Sequence, residues 1–134
     1  MAETTKEKEL FDQLKVGYTE DLGTIVFTQK MLDDSRIALD NPEDAFPVLH
    51  APKEDATHKL FPPRVNARSI RQYFNPPIPG KKIHLKVRIA DKYLRGDIPY
   101  LVEEVTATDE DGRHIETMTV HQLLRTKKVG EKWA

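Results

Sequence analysis

Five histidines and no cysteine leave imidazole and carboxylate as the groups able to move protons in this chain. Thiolate nucleophiles and disulfides are excluded, and the usual sequence sign of a zinc site is missing. Two of the histidines, His50 and His58, lie in a stretch from Asp40 to Pro63 that contains Pro42, Pro47, Pro52, Pro62 and Pro63. So many prolines preclude a long regular element. A loop of that length inside a compact domain is more often functional or disordered than idle. Each feature also has a plainer reading. His50 and His58 can be solvent-facing loop residues, and Asp40 ahead of Asn41-Pro42 can be a turn residue that bonds its own backbone. His84 alternates with apolar neighbours and is expected on a solvent face, and His114, beside a turn, is expected to be exposed. His121 is expected at a buried or interface position, as a structural histidine.

The elements that must position these residues are clearest in the second half. Ile83, Leu85, Val87 and Ile89 alternate with Lys82, His84, Lys86 and Arg88, the period of a strand with one face on a core. Strands are predicted over Lys82 to Asp91, Pro99 to Asp109 and His114 to Arg125, joined at Arg95-Gly96-Asp97 and at Asp109 to Gly112. The last has apolar residues on both parities, as in a central strand or one that meets another subunit. Earlier, Leu10, Phe11 and Leu14 sit at helical spacing before Gly17, Ile25 to Phe27 predicts a short strand, and Thr28 can cap a helix over Gln29 to Leu39. Pro63 suits a first helical turn, and Val65, Ile70, Tyr73 and Phe74 predict a helix over Pro63 to Phe74.

Composition bounds the whole. At 134 residues the chain suits one domain over 1–134, with 1–9 and 126–134 expected to be flexible. A net charge of -1 from 21 basic and 22 acidic residues gives no general reason to expect nucleic acid or an anionic membrane as partner. No apolar run approaches a membrane span and the first residues are charged, so a soluble cytoplasmic protein is expected.

The order of these pieces, a short strand, a helix, an Asn41-Pro42 loop, a proline-led helix and an antiparallel meander, resembles the MaoC-like branch of the hotdog fold. Val87-Arg88-Ile89 through Gly96-Asp97 resembles its strand leading into a Gly-Asp turn, and Thr108 to Leu124 resembles its closing hairpin. The resemblance spans about residues 14 to 125. It implies an α+β fold in which a curved antiparallel sheet wraps a central helix, usually paired with a second hotdog unit. Acyl thioesters would bind at the junction, with coenzyme A or phosphopantetheine as part of the substrate and no separate cofactor or metal.

Hydratase members of that family carry Asp-x-Asn-Pro-x-His ahead of the helix. Aligned strictly on Asn41-Pro42, those positions fall on Leu39 and Asp44. A looser alignment makes Asp40 the acid and His50 the base, with Glu54-Asp55-Ala56 resembling the acidic, alanine-containing stretch after the family's histidine. The helix start at Pro63, Arg64 and Val65, with Arg68, would then bind the thioester, its amides polarising the carbonyl. Arg64, Arg68 and Arg71 with Lys81 and Lys82 suit carrier phosphates, although one solvated helix face explains the three arginines as well. The resemblance thus implies a lyase, hydratase or dehydratase, acting as a homodimer or with another hotdog chain. A non-catalytic subunit paired with a catalytic partner is the alternative, and a thioesterase using Glu43 or Asp44 is a further one.

Overall fold

The computed structural model describes residues 11–38, with side chains to 34, and residues 49, 51–55, 65–96 and 98–124. Five strands form one antiparallel sheet: β1 (Thr19–Val26), β2 (Val65–Tyr73), β3 (Lys82–Arg95), β4 (Ile98–Asp109) and β5 (His114–Leu123), in the spatial order β1-β3-β4-β5-β2. A helix, α1 (Gln29–Ala38), follows β1. Among the described residues no helix is long and apolar enough to cross a membrane.

The alternation in β3 fixes which face is buried. Ile83, Leu85, Val87 and Ile89 are each at most 2% exposed, whereas Lys82, Lys86 and Arg88 face water. Ile83, Leu85 and Val87 join Leu22, Phe27, Leu49, Ala107 and Ile115 in the main core cluster, and Ile89 joins Leu14, Leu101 and Leu124 in a second. Leu14, which shares helical spacing with Leu10 and Phe11 in the sequence, is thus a core residue, with Phe11 packed beside it. β5 lies between β4 and β2, the central position its two-faced apolar pattern implies. Gly96 and Gly112 have φ of 63° and 82°, the left-handed values that their turns require. Asp109 braces the second turn: its Oδ1 accepts from the amides of Asp111 and Arg113 at 3.0 and 2.9 Å.

α1 forms as its cap predicts. The Met31 amide donates to Thr28 Oγ1 at 3.1 Å, and Met31 and Leu32 pack on the main core cluster. Its outer face is held by local pairs, Gln29 with Asp33 and Lys30 with Asp34.

Two expectations are corrected. The first strand is longer than Ile25 to Phe27, beginning at Thr19, and Phe27 sits just beyond its end, fully buried. The helix expected over Pro63 to Phe74 is instead strand β2 for Val65–Tyr73. A register shift between Asn66 and Arg68 is the reason. The extra residue changes parity, so Val65 opposite Leu123 and Ile70 opposite Thr119 share a face although their numbers differ by five. That shift erased the period of two and left a spacing that looked helical. Asp40, Asn41 to Pro47, Pro62, Pro63 and the two chain ends lie outside the described residues.

Candidate functional site

Of the six residues expected at the site, Asp40, His50, Pro63 and Arg64 lie outside the described residues, as do His58, Glu43 and Asp44. Val65 and Arg68 are described, and they lie on a strand instead of the expected helix. They are exposed on edge strand β2, opposite Leu123 and His121, on the sheet face turned away from the core. Arg71 points to the other face of the same strand. Its Nη1 lies 3.1 Å from Glu116 Oε1, so it serves a buried carboxylate and not a helix surface.

The described part of the proline-rich stretch packs on the sheet. Leu49 is 6% exposed within the main core cluster, and Ala51 packs against that cluster. Pro52 lies on Gly23 of β1, so close that a Cβ added to Gly23 would meet the proline ring. Gly23 has φ of 100° and follows a register shift in β1 between Asp21 and Gly23, which leaves Leu22 as the extra residue, buried in the same cluster as Leu49. The Gly23 amide donates to Asp21 Oδ1 at 2.7 Å, and His84 Nε2 lies 2.8 Å from Asp21 Oδ2. His84, then Gly23, holds the Asp21 carboxyl below its usual range. Farther along, Asp55 is 6% exposed. Tyr18 donates to Glu20 at 2.7 Å, and that bond, with lesser help from Asp55, raises the phenol.

The remaining histidines divide between expectation and correction. His84 faces solvent as expected, paired with Asp21. His114 is half-buried where exposure was expected: its ring stacks on Phe74 at 4.0 Å, and Nε2 reaches Thr117 Oγ1 at 2.7 Å. His121 is half-buried with Nδ1 3.3 Å from the Tyr93 hydroxyl. Tyr93 in turn stacks on Tyr100 at 5.0 Å. This polar and aromatic cluster unites β3, β4 and β5 on the outer face. Sequence reasoning missed it because a shift in β3 between Ile89 and Asp91 changes the parity of everything beyond.

Glu116 is the described carboxyl whose surroundings change its chemistry most plainly. Its side chain is 6% exposed on the core face of β5, and burial raises it above the usual carboxylate range against the opposing pull of Arg71. Such a group titrates nearer to neutrality than a surface glutamate, a property that acid–base sites share with structural ion pairs. Among the described residues, no group of three or more histidine, aspartate or glutamate side chains is placed to hold a metal ion.

No protein-family model and no curated protein matches the chain. Solved structures do. A MaoC-like dehydratase from Rhodospirillum rubrum is similar over 88% of this chain and 97% of its own, with a TM-score of 0.57 and 14% identity. The ChsH1-ChsH2 complex from Mycobacterium tuberculosis is similar over 95% and 99%, with a TM-score of 0.65 and 12% identity. A hot-dog-like protein from Thermanaerovibrio acidaminovorans is similar over 87% and 84%, with a TM-score of 0.55 and 16% identity. Likeness at these identities establishes the fold, which is the hotdog fold.

Proposed function

We propose that this hotdog chain is a MaoC-like subunit of an acyl-thioester hydratase or dehydratase. Its reaction would be reversible addition of water to a 2-enoyl thioester carried on coenzyme A or phosphopantetheine. The observation that carries the reading is the likeness, over 88% of this chain, to the structure of a MaoC-like dehydratase. It is supported by the position of the Asn41-Pro42 pair in the sequence, between α1 and β2. In hydration the water oxygen bonds to C3 while a proton is delivered to C2. His50 would take the proton of the attacking water and Asp40 would handle the second proton, a division that needs both within hydrogen-bond reach of the reacting atoms. Donors aimed at the thioester oxygen would stabilise the charge it gains.

A specific observation favours a second reading, in which this chain binds the acyl thioester while a second hotdog chain supplies the acid–base pair. Leu39 and Asp44 stand where a strict alignment on Asn41-Pro42 needs an acid and a histidine. The structure also has a surface suited to a partner. β2 has a neighbouring strand, β5, on one side, and Val65, Ile70 and Tyr73 are 45%, 39% and 41% exposed along it. The ChsH1-ChsH2 likeness supports a two-chain arrangement.

The test is loss of the conjugated enoyl absorbance on mixing purified protein with a panel of 2-enoyl-CoA thioesters. If the chain is catalytic, His50→Ala lowers turnover by about 100-fold at unchanged folding. Turnover that arises only after a second hotdog chain is added supports the binding-subunit reading. Absence of turnover under both conditions sinks the hydratase proposal.

A further inference from the structure

The registers of four strands line up side chains in rows across the sheet face turned away from the core. Val65 of β2, Leu123 of β5, Tyr100 of β4 and Tyr93 of β3 form one row, apolar and aromatic throughout. The next row is Arg68, His121, Val102 and Asp91. Its interior suits cover: Val102 is 5% exposed, and His121 Nδ1 lies 3.3 Å from the Tyr93 hydroxyl, so packing against the patch leaves that hydroxyl satisfied. Its two ends are opposite charges. Arg68 and Asp91 are both exposed, and among the described residues neither has an ion-pair partner. A third row, Ile70, Thr119, Glu104 and Arg88, carries its own pair, Arg88 Nη2 with Glu104 Oε2 at 3.7 Å, and adds no unmatched charge.

Three strand spacings, about 14 Å, separate Arg68 from Asp91, and their midpoint falls between β5 and β4. A two-fold axis laid along the strands at that midpoint brings a second copy face to face with the first, β2 of each over β3 of the other. Each Arg68 then lies over the other copy's Asp91, each Val65 over its Tyr93 and each Leu123 over its Tyr100. An axis across the strands at the same row would instead set Arg68 against Arg68 and Asp91 against Asp91. The charges select the first arrangement. We propose that this face is a self-association surface, on which a second copy of the chain packs with Arg68 over the other copy's Asp91 in both directions. The contact is separate from the β2 edge and independent of the hydratase reading. Three rows on four strands measure about 19 by 20 Å, which gives about 800 Å² between two copies, the area of a weak and reversible association.

Sedimentation equilibrium of the full chain over a concentration series tests the proposal. Arg68→Asp and Asp91→Arg each set like charges together twice in the pair, and each should weaken self-association by about tenfold or more. Combining them exchanges the two charges and should restore the wild-type constant to within about threefold. Both positions are exposed, so thermal melts of all three variants should match the wild type. The arrangement is read separately by cross-linking. The chain has no cysteine, so Arg68→Cys and Asp91→Cys each introduce a single thiol, and a short bis-maleimide should join a mixture of the two variants far more than either alone. Cross-linking as strong within one variant as in the mixture overturns the arrangement. A wild-type chain that does not self-associate, its face left to a different protein, overturns the proposal. So does an association that neither charge reversal weakens, which then runs through another surface such as the β2 edge, and so does failure of the double exchange to restore it.

Discussion

Replacing Arg71 by methionine should expose how the core face of β5 tolerates a carboxylate. The Arg71 side chain is 25% exposed and that of Glu116 is 6% exposed, with 3.1 Å between them. Methionine keeps the length and apolar character of the stem but leaves Glu116 ionised without its partner. Removing one member of a fully buried pair costs about 3–5 kcal/mol, and water reaching the Arg71 position reduces this to about 2 kcal/mol. For a chain of this size that is a drop in Tm of about 8 °C at neutral pH. The pH dependence identifies the cause. Burial raises Glu116 in the folded protein above its ordinary value of 4.5. The folded state therefore binds the proton more tightly than the unfolded chain, and this group's contribution to stability falls as pH rises from about 4.5 through the folded value. Without Arg71 the folded value rises further. The deficit of Arg71→Met should be full at pH 8, shrink as Glu116 is protonated, and be largely gone near pH 4. Thermal and urea melts of both proteins across that range, followed by circular dichroism, measure it. An equal deficit at pH 4 and pH 8 would refute the desolvation argument, as would failure of Glu116→Gln to recover stability in the Arg71→Met background.

Two further outcomes are expected from the geometry. Ile70→Lys combined with Tyr73→Lys places charges on exposed positions of β2, so the monomer fold should survive while any assembly through that edge is lost, seen as a fall in mass by light scattering with Tm little changed. Asp109→Ala removes an acceptor shared by two backbone amides and the Arg113 guanidinium, and should cost about 2 kcal/mol in urea unfolding, with the β4–β5 turn losing its exchange protection first.

How much could be read in advance depended on whether a strand kept its parity. β3 alternates without interruption from Lys82 to Ile89, and its buried set was legible residue by residue. The turns at Gly96 and Gly112 were equally legible, because few residues accept their backbone angles. β2 was misread because one extra residue near Ala67 places Val65 and Ile70 on the same face, a spacing that imitates a helix. The site was harder for another reason. Its sequence signals were single residues in a proline-rich loop, and what fixes the described part of that loop is a glycine and an Asp–His pair some 30 residues away in either direction. Neither has a local pattern. Pairing of Arg71 with Glu116 likewise depends on β2 lying beside β5, a relation between residues 45 apart in the chain.

The stacked Tyr93 and Tyr100 rings give the sheet its own optical signature. They are 5.0 Å apart with planes 6° from parallel, close enough for their transitions to couple. They oppose one another only because β3 shifts register between Ile89 and Asp91; a slip of one residue would put the two rings on opposite faces of the sheet. The chain's one tryptophan, Trp133, lies outside the described residues, so near-ultraviolet circular dichroism from the tyrosine pair, more than tryptophan fluorescence, would report whether β3 and β4 have found their native alignment during refolding.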